Sequence, residues 1–364
     1  MKKLIGLLTR TLALALASTW IAPCDAQPVL QWTFDEASSG SQDALDTGAA
    51  PAENGIFQGG ATRTSNTPGG ASTGAADLYL GTAGTDAYLQ ASDTGSLEGL
   101  ASITVTSWIN LQADPVGNDR IAALQATNMP PDPDFDDNNV VDGKDFLTWQ
   151  QWFGIDDASA DNTLGDANSD ANVLGDDLKI WERQFGGQPF PQGSFAGFTL
   201  NINAPNEGTY SANDFRLGMF IGGLDAQGLP LFEFGQSTAD IEGLGGQWVF
   251  VATTFNGATG DLLFFTGTES ASPSQLGTGF VLNAFKIEGS GANFYIGKTD
   301  AAPAANTSLE GFIDDVRIYN SALTAAELDA VRLENLPASL AVAVPEPGSW
   351  LLASLLLLGT PRRR

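Results

Sequence analysis

The apolar positions of this chain change their period several times, and each change marks an element. From 102 to 111, Ile103, Val105, Ile109 and Leu111 alternate with Thr104, Thr106, Trp108 and Asn110, the period of two expected of a strand. Shorter runs of the same kind predict strands at 31–36, 77–80, 87–91, 120–125, 197–203, 215–222, 248–255, 261–266, 293–298 and 311–319. Forty-two glycines and eighteen prolines suit many short strands joined by turns. The predicted fold class is mainly β, a two-sheet jelly-roll sandwich. A helical period breaks in at three places. Thr324-Ala325-Ala326-Glu327 is a capping box opening a helix over 325–333. Phe146, Trp149 and Phe153 fall at i, i+3 and i+7, and Leu178, Trp181 and Phe185 repeat the pattern. Each set makes one apolar stripe on a short helix, which cannot bury that stripe alone in water.

Both short helices follow an acidic loop, and the two loops are copies at an offset of 32 residues, as from Asp134 to Asp166 and from Trp149 to Trp181. Calcium is a hard ion that takes six to eight oxygens, and EF-hand-type loops supply them from positions 1, 3, 5, 7, 9 and 12. In the first loop these positions hold Asp134, Asp136, Asn138, Val140 (through its carbonyl), Asp142 and Asp145. Position 6, which needs positive φ, is Asn139. The second loop offers Asp166, Asn168, Asp170, Asn172 (carbonyl) and Asp177. Ala171 stands there where Gly is wanted, and Leu174 replaces an oxygen ligand, so a weaker calcium site is expected. Val141 and Val173, at position 8, are expected to pair loop to loop.

Tandem loops, each followed but not preceded by a helix, resemble a dockerin type I module over residues 132–187. That resemblance implies calcium as the cofactor and a cohesin-like protein as partner. The positions matching its partner-binding surface are Gln150 and Gln151 in the first copy, Glu182 and Arg183 in the second. A calcium-stapled spacer without a partner is the plainer alternative. The flanks, 129–133 and 186–191, are rich in Pro and Gly and read as linkers.

The strand-rich remainder carries phrases of its own: 102–110 around Trp108, 246–252 around Trp248, 293–298, and 311–320 followed by the Thr324 helix. In that order they resemble a laminin G-like domain of the concanavalin A-like lectin/glucanase type, covering 28–128 and 193–336. The resemblance implies a jelly roll that binds glycans or proteins at cell surfaces, with the dockerin-like pair inserted in one of its loops. Trp32, Trp108 and Trp248 invite a sugar-stacking role, but strand positions favour core packing for the latter two.

The ends read as addresses. Lys2, Lys3 and Arg10 bracket the start of an apolar run, 11–22, and small residues follow, the order of a signal peptide over 1–26. At 344–364, Pro345-Glu346-Pro347, an apolar stretch and a terminal Arg cluster resemble a PEP-CTERM sorting signal. The resemblance implies an exosortase-type processing enzyme and transient anchoring in the inner membrane. The expected destination is the cell surface or extracellular matrix of a Gram-negative-type bacterium.

Charge narrows the partners. The chain carries −27, and removing both ends leaves 10 basic against 41 acidic side chains. Such a surface repels nucleic acid and anionic lipid and attracts divalent cations. There is no His, which removes His-based catalysis and His metal ligands, and the single Cys, Cys24, lies in the leader. Packing and bound calcium are left as the stabilisers of an exported chain.

Retaining glycosidases need two carboxyls about 5–5.5 Å apart, which a Glu-x-Asp-x-Glu strand would supply, and no such pattern occurs. Glu310 with Asp314 and Asp315 comes closest at the wrong spacing. One of those aspartates could instead share a further structural calcium with an oxygen near Asp35 or Asp46. The expectation is therefore a non-catalytic surface protein whose jelly roll binds extracellular polysaccharide or a surface protein. A glycoside hydrolase or lyase of the same fold, and a calcium-stiffened envelope protein, are the alternatives.

Overall fold

A computed structural model describes residues 26–36, 43–49, 51–79, 87–91, 95–112, 118–126, 132–156, 160–167, 171–187, 189, 196–203, 215–226, 230–241, 245–288, 292–298 and 309–336. Its first strands are β1 (Leu30–Trp32), β2 (Asp43–Ala44), β3 (Gly55–Gln58), β4 (Thr62–Thr64), β5 (Ala75–Asp77), β6 (Tyr88–Ala91), β7 (Ser102–Leu111) and β8 (Asn118–Ala126). Two helices follow, α1 (Gly143–Trp152) and α2 (Gly175–Gln184). Then come β9 (Ala196–Asn203), β10 (Arg216–Asp225), β11 (Pro230–Gln236), β12 (Val249–Asn256), β13 (Asp261–Gly267), β14 (Ser274–Gln275) and β15 (Phe280–Val281). The last elements are β16 (Ala284–Ile287), β17 (Phe294–Ile296), β18 (Gly311–Tyr319) and α3 (Ala325–Glu334).

The strands form two antiparallel sheets. The first runs β14-β13-β12-β7-β18-β5-β4, with β1 added on β18 and β15 on β13. The second runs β11-β10-β9-β8-β17-β6-β3-β2, with β16 added on β10. Alternation along the strands builds the core between them: Ile103, Val105 and Ile109 of β7 and Phe198, Leu200 and Ile202 of β9 join one buried cluster. A sandwich of this kind is the jelly-roll class that the alternation predicts.

The first sheet is covered on its outer side too. Trp108 points away from the inter-sheet core and packs with Phe250, Tyr319, Leu328 and Val331, so α3 lies against that face. Burying side chains such as Leu328 and Val331 contributes about 1.5–3 kcal/mol each. Thr324 caps the helix, accepting from the Glu327 amide while Glu327 reaches back to the Thr324 amide. Arg317 of β18, buried, bonds Asp315 at 2.8 Å and Glu334 of α3 at 2.5 Å, tying helix to sheet.

The first predicted strand stops early because Phe34 has φ 60, a left-handed conformation that no strand continues. Strand β11 was not legible, since it opens on a proline and exposes Phe232 and Phe234. Residues 127–195 connect β8 to β9, which are direct antiparallel neighbours with Ala126 opposite Ala196 as the last pair. The acidic loops and their two helices thus stand in a hairpin connection, with a small core of their own around Phe135, Trp149, Ala167, Val173 and Ile180.

Candidate functional site

In the first loop three carboxylates converge. One oxygen from each of Asp134, Asp136 and Asp145 lies within 4.8 Å of the others. Calcium–oxygen distances of about 2.3–2.6 Å allow oxygens on opposite sides of one ion to be about 5 Å apart, so the three fit a single shell. The loop backbone is shaped for it. Asp134 accepts from the Asn138 amide at 3.0 Å and the Asn139 amide at 2.6 Å, and Asn139 has φ 64. Asp145 accepts from Phe135 at 2.8 Å, Asp136 at 3.3 Å and Asp142 at 2.7 Å. Both side chains are buried. Burial, chiefly, pushes the Asp134 carboxyl above its ordinary range, with the Asp145 and Asp136 charges adding and the amides opposing. Asp145 is raised by burial as well, again against its amide bonds. A hard cation there would replace the solvation these carboxylates have lost. Asp142 does not join the convergent set; its side chain accepts from the Lys144 amide and caps α1. Asn138 and Val140 are exposed on the same loop.

The second loop repeats the scaffold. Asp177 accepts from the Ala167 amide at 2.9 Å and the Leu174 amide at 2.8 Å, and Asp166 accepts from Ala171 at 2.9 Å. These are the bonds of Asp145 and Asp134 moved by one repeat. Ala171 takes φ 66, the same left-handed turn as Asn139. A side chain with Cβ pays about 1–2 kcal/mol there, which weakens this loop. Asn172 forms an isolated bridge with Asp156. Asn168 and Asp170 lie outside the described residues, as do the leader and Pro345, Glu346 and Pro347.

The halves are crossed rather than stacked. The position-8 backbones bond the chain after the helices, and both valine side chains are buried. Val141 bonds Gly187 and Gly186 after α2, at 3.0 and 2.8 Å, while Val173 bonds Ile155 and Gly154 after α1, at 2.9 and 2.8 Å. The indoles cross too. Trp149 of α1 donates to the Leu174 carbonyl at 2.8 Å, and Trp181 of α2 donates to the Asp142 carbonyl at 2.9 Å. Each loop's position-9 carbonyl is therefore held by the helix that follows the other loop. The predicted stripes are only partly buried: Phe153 and Phe185 are 56% and 57% exposed. Each sits at a helix C-cap with extended ψ, so its ring swings back onto Trp149 or Trp181, at 4.9 and 4.8 Å. Gln150, Gln151 and Glu182 are exposed on these helices, and the Arg183 side chain lies outside the described set.

In the sandwich, Asp35 and Asp314 come together. Asp35 accepts from the Thr73 amide at 2.6 Å and the Gly74 amide at 3.1 Å. Asp314 is fully buried, and one oxygen accepts from the Asp315 amide at 2.7 Å. Burial pushes the Asp314 carboxyl well above its ordinary range against a hydrogen bond from the Ser72 hydroxyl, and the Asp315 and Asp35 charges add to the rise. Asp46 is used up in a turn, accepting from Gln31, Gly48 and Glu53 amides. Asp315 serves Arg317. Trp32, Trp108 and Trp248 are all buried, and Trp32 and Trp248 bond the Glu53 carbonyl and Asn66 through their indoles.

A family model described as the concanavalin A-like lectin/glucanases superfamily matches residues 136–329, more than half of the chain. The match opens inside the first acidic loop, whereas the sheets also take in β1 to β8. No curated protein matches. Among solved structures, the heptameric SAP-like pentraxin of Limulus polyphemus is similar at 12% identity, over 84% of this chain and 82% of that one, with a TM-score of 0.34. The binding domain of botulinum neurotoxin serotype D/C is similar at 10% identity, over 85% of this chain and 52% of that one, with a TM-score of 0.42. The binding domain of botulinum neurotoxin DC in complex with rat synaptotagmin II gives 11%, 85%, 52% and 0.41. The chain spans about half the length of these neurotoxin domains.

Proposed function

From the premise that the chain belongs to the concanavalin A-like lectin/glucanases superfamily, we propose that it is an exported, non-catalytic binding protein of the cell surface. Its sandwich binds extracellular glycan or protein, and its hairpin insert is a dockerin-like module that docks, calcium-loaded, to a cohesin-like partner. The PEP-CTERM-like tail delivers it to an exosortase-type enzyme. The observation that carries the insert's role is the convergence of Asp134, Asp136 and Asp145 on a loop whose sixth residue is left-handed.

Calcium, when bound, supplies a divalent charge that links the loop's oxygens. The chain's own residues do the rest. Asp134 and Asp145 each hold backbone amides as well as presenting an oxygen to the ion. The metal is thereby coupled to the start of α1, which presents Gln150 and Gln151 to solvent. Asp35 and Asp314 form a second candidate for a structural cation, two carboxylates that meet around the Ser72 hydroxyl, one of them fully buried.

A pull-down of a cohesin-bearing protein in calcium and in chelator tests the docking arm. Capture in calcium, lost in chelator and in the Asp134→Ala, Asp166→Ala double variant, is the expected result. Capture that ignores both would sink it. Glycan-array binding tests the sandwich arm, and turnover of a bound polysaccharide would show an enzyme instead.

A further inference from the structure

The geometry points to the outward face of the second sheet, around Arg120 and Phe220, as a saccharide site selective for acidic sugars, uronates in particular. This rests on the glycan-binding reading and deepens it. Phe198, Leu200 and Ile202 of β9 and Leu217, Met219 and Ile221 of β10 point into the core, so their alternates face out. The register then sets Phe234, Phe220, Thr199, Ala123 and Tyr295 side by side across β11, β10, β9, β8 and β17. Thr199, Ala123 and Tyr295 are buried, so the part of this row open to a ligand is its Phe220–Phe234 end, one strand spacing of about 4.8 Å, the scale of a single pyranose ring.

Its floor is closed and its aromatic end is open. Thr199 and Asn201 are fully buried, whereas Phe232 and Phe234 are 48% and 39% exposed. Phe220 stacks with Phe232 at 5.3 Å and packs on Phe234 at 4.3 Å. Flat apolar rings of this kind offer a surface to the C–H faces of a pyranose. In the next outward row stands Arg120, opposite Asn201, whose other neighbour is Gly218. Its guanidinium lies 5.9 Å from the Phe220 ring centroid. Two of its nitrogens, Nε and Nη1, are buried with no hydrogen-bond partner. Burial lowers its pKa to about 10, with only Asp119 pulling it back up.

A buried cation with unmet N–H groups is costly unless a counter-charge completes it. A planar guanidinium matches a carboxylate in shape and charge. A second cation, Lys298, lies 4.1 Å from the Tyr88 ring centroid, beside Tyr295 on the same face. The chain's overall charge of −27 does not prevent this pairing. Carboxylates beyond about 8–10 Å are screened at physiological salt, while a desolvated contact is not.

Titration of the full-length chain with an oligogalacturonate and with its methyl-esterified form tests the inference. The ester keeps the sugar skeleton and removes the charge. Charge-assisted hydrogen bonds of this kind make the expected preference for the acid about tenfold or more. Arg120→Gln should erase that preference, and Phe234→Ala should weaken both forms alike. Equal binding of acid and ester by the unaltered protein overturns the selectivity but leaves glycan binding standing. A preference that survives Arg120→Gln in a variant with unchanged circular dichroism overturns the assignment of the site. Binding of neutral glycans alone on an array would likewise overturn this inference and not the broader one.

Discussion

Replacing Trp181 by Phe should weaken calcium binding at the loop that Trp181 does not follow. The indole donates to the Asp142 carbonyl at 2.9 Å, and Asp142 precedes α1 in the first loop. Phe keeps a ring against Phe146 and Phe185, which lie 5.1 and 4.8 Å away, but it has no donor. One lost hydrogen bond is worth about 0.5–1.5 kcal/mol. If the bond holds the loop in its binding shape, first-loop affinity should fall by about twofold to tenfold. Calorimetric calcium titration of the full chain carrying Asp166→Ala, which silences the second loop, isolates the effect. The mirror variant, Trp149→Phe, removes the bond to the Leu174 carbonyl. It should act on the second loop when Asp134→Ala silences the first. A Trp181→Phe chain whose first-loop affinity is unchanged, and whose melting temperature alone falls, would refute the crossed coupling. The indole would then be packing and nothing more.

Four further outcomes are expected. Asp145→Asn keeps shape but removes a charged ligand and a charged acceptor of three amides; calcium uptake at the first loop should drop by at least about tenfold, read by calorimetry. Ala171→Gly relieves a left-handed alanine at φ 66, and should raise stability by about 0.5–1 kcal/mol after the unfolded-state entropy of Gly is counted, seen as a higher melting temperature. Burial raises the carboxyls of Asp134 and Asp145 in the folded, metal-free chain, so that state holds more protons than the unfolded chain between the two pKa values. In chelator, stability should therefore rise as pH falls from the raised values toward about 3.9, whereas in calcium it should fall as protons displace the ion; melting curves with and without chelator must slope oppositely. Asp315→Asn leaves Arg317 buried with only the outlying Glu334 and should cost about 3–5 kcal/mol in urea unfolding.

What could be read in advance follows from how local each signal is. The closing strand was legible to the residue, because Gly311–Tyr319 alternates on either side of an irregularity at Asp314–Asp315 and a capping box follows it. The convergence of Asp134, Asp136 and Asp145 was legible because the three lie within twelve consecutive residues, so their spacing could be read directly. The helical stripes were read too far. Phe153 and Phe185 continue the i+7 pattern, yet the helices end one residue earlier and the rings leave the buried side. The backbone partners of the position-8 valines, Gly186 and Gly154 among them, were not legible, because glycines carry no side chain to announce them. The cluster of Arg120 with the phenylalanines on the second sheet was not legible at all. Arg120, Phe220 and Phe234 meet only through the register of four strands, and Phe234 sits in a segment that opens on proline.

That cluster and the acidic insert share two strands, which gives the insertion a physical logic. β8 and β9 stay paired from Asn118 opposite Asn203 to Ala126 opposite Ala196, so the ladder closes without help from a tight turn. Opening a short turn into residues 127–195 is about four doublings of loop length, and a flexible loop of that size would cost about 2.5 kcal/mol in closure entropy. An ordered guest removes part of that cost, because fewer of its residues are left flexible. The bonds from Val141 to Gly186 and Gly187 hold the trailing end of the guest against its first loop, and the Asp132 amide bonds Ala167 near the leading end. Both anchors lie beside the residues that converge on the candidate metal site. An ion that orders Asp134 and Asp145 would therefore also order the segments on which both anchors rest. On the calcium reading, metal binding stabilises the hairpin that carries Arg120, and a chelator should loosen the middle of the second sheet before it disturbs the first.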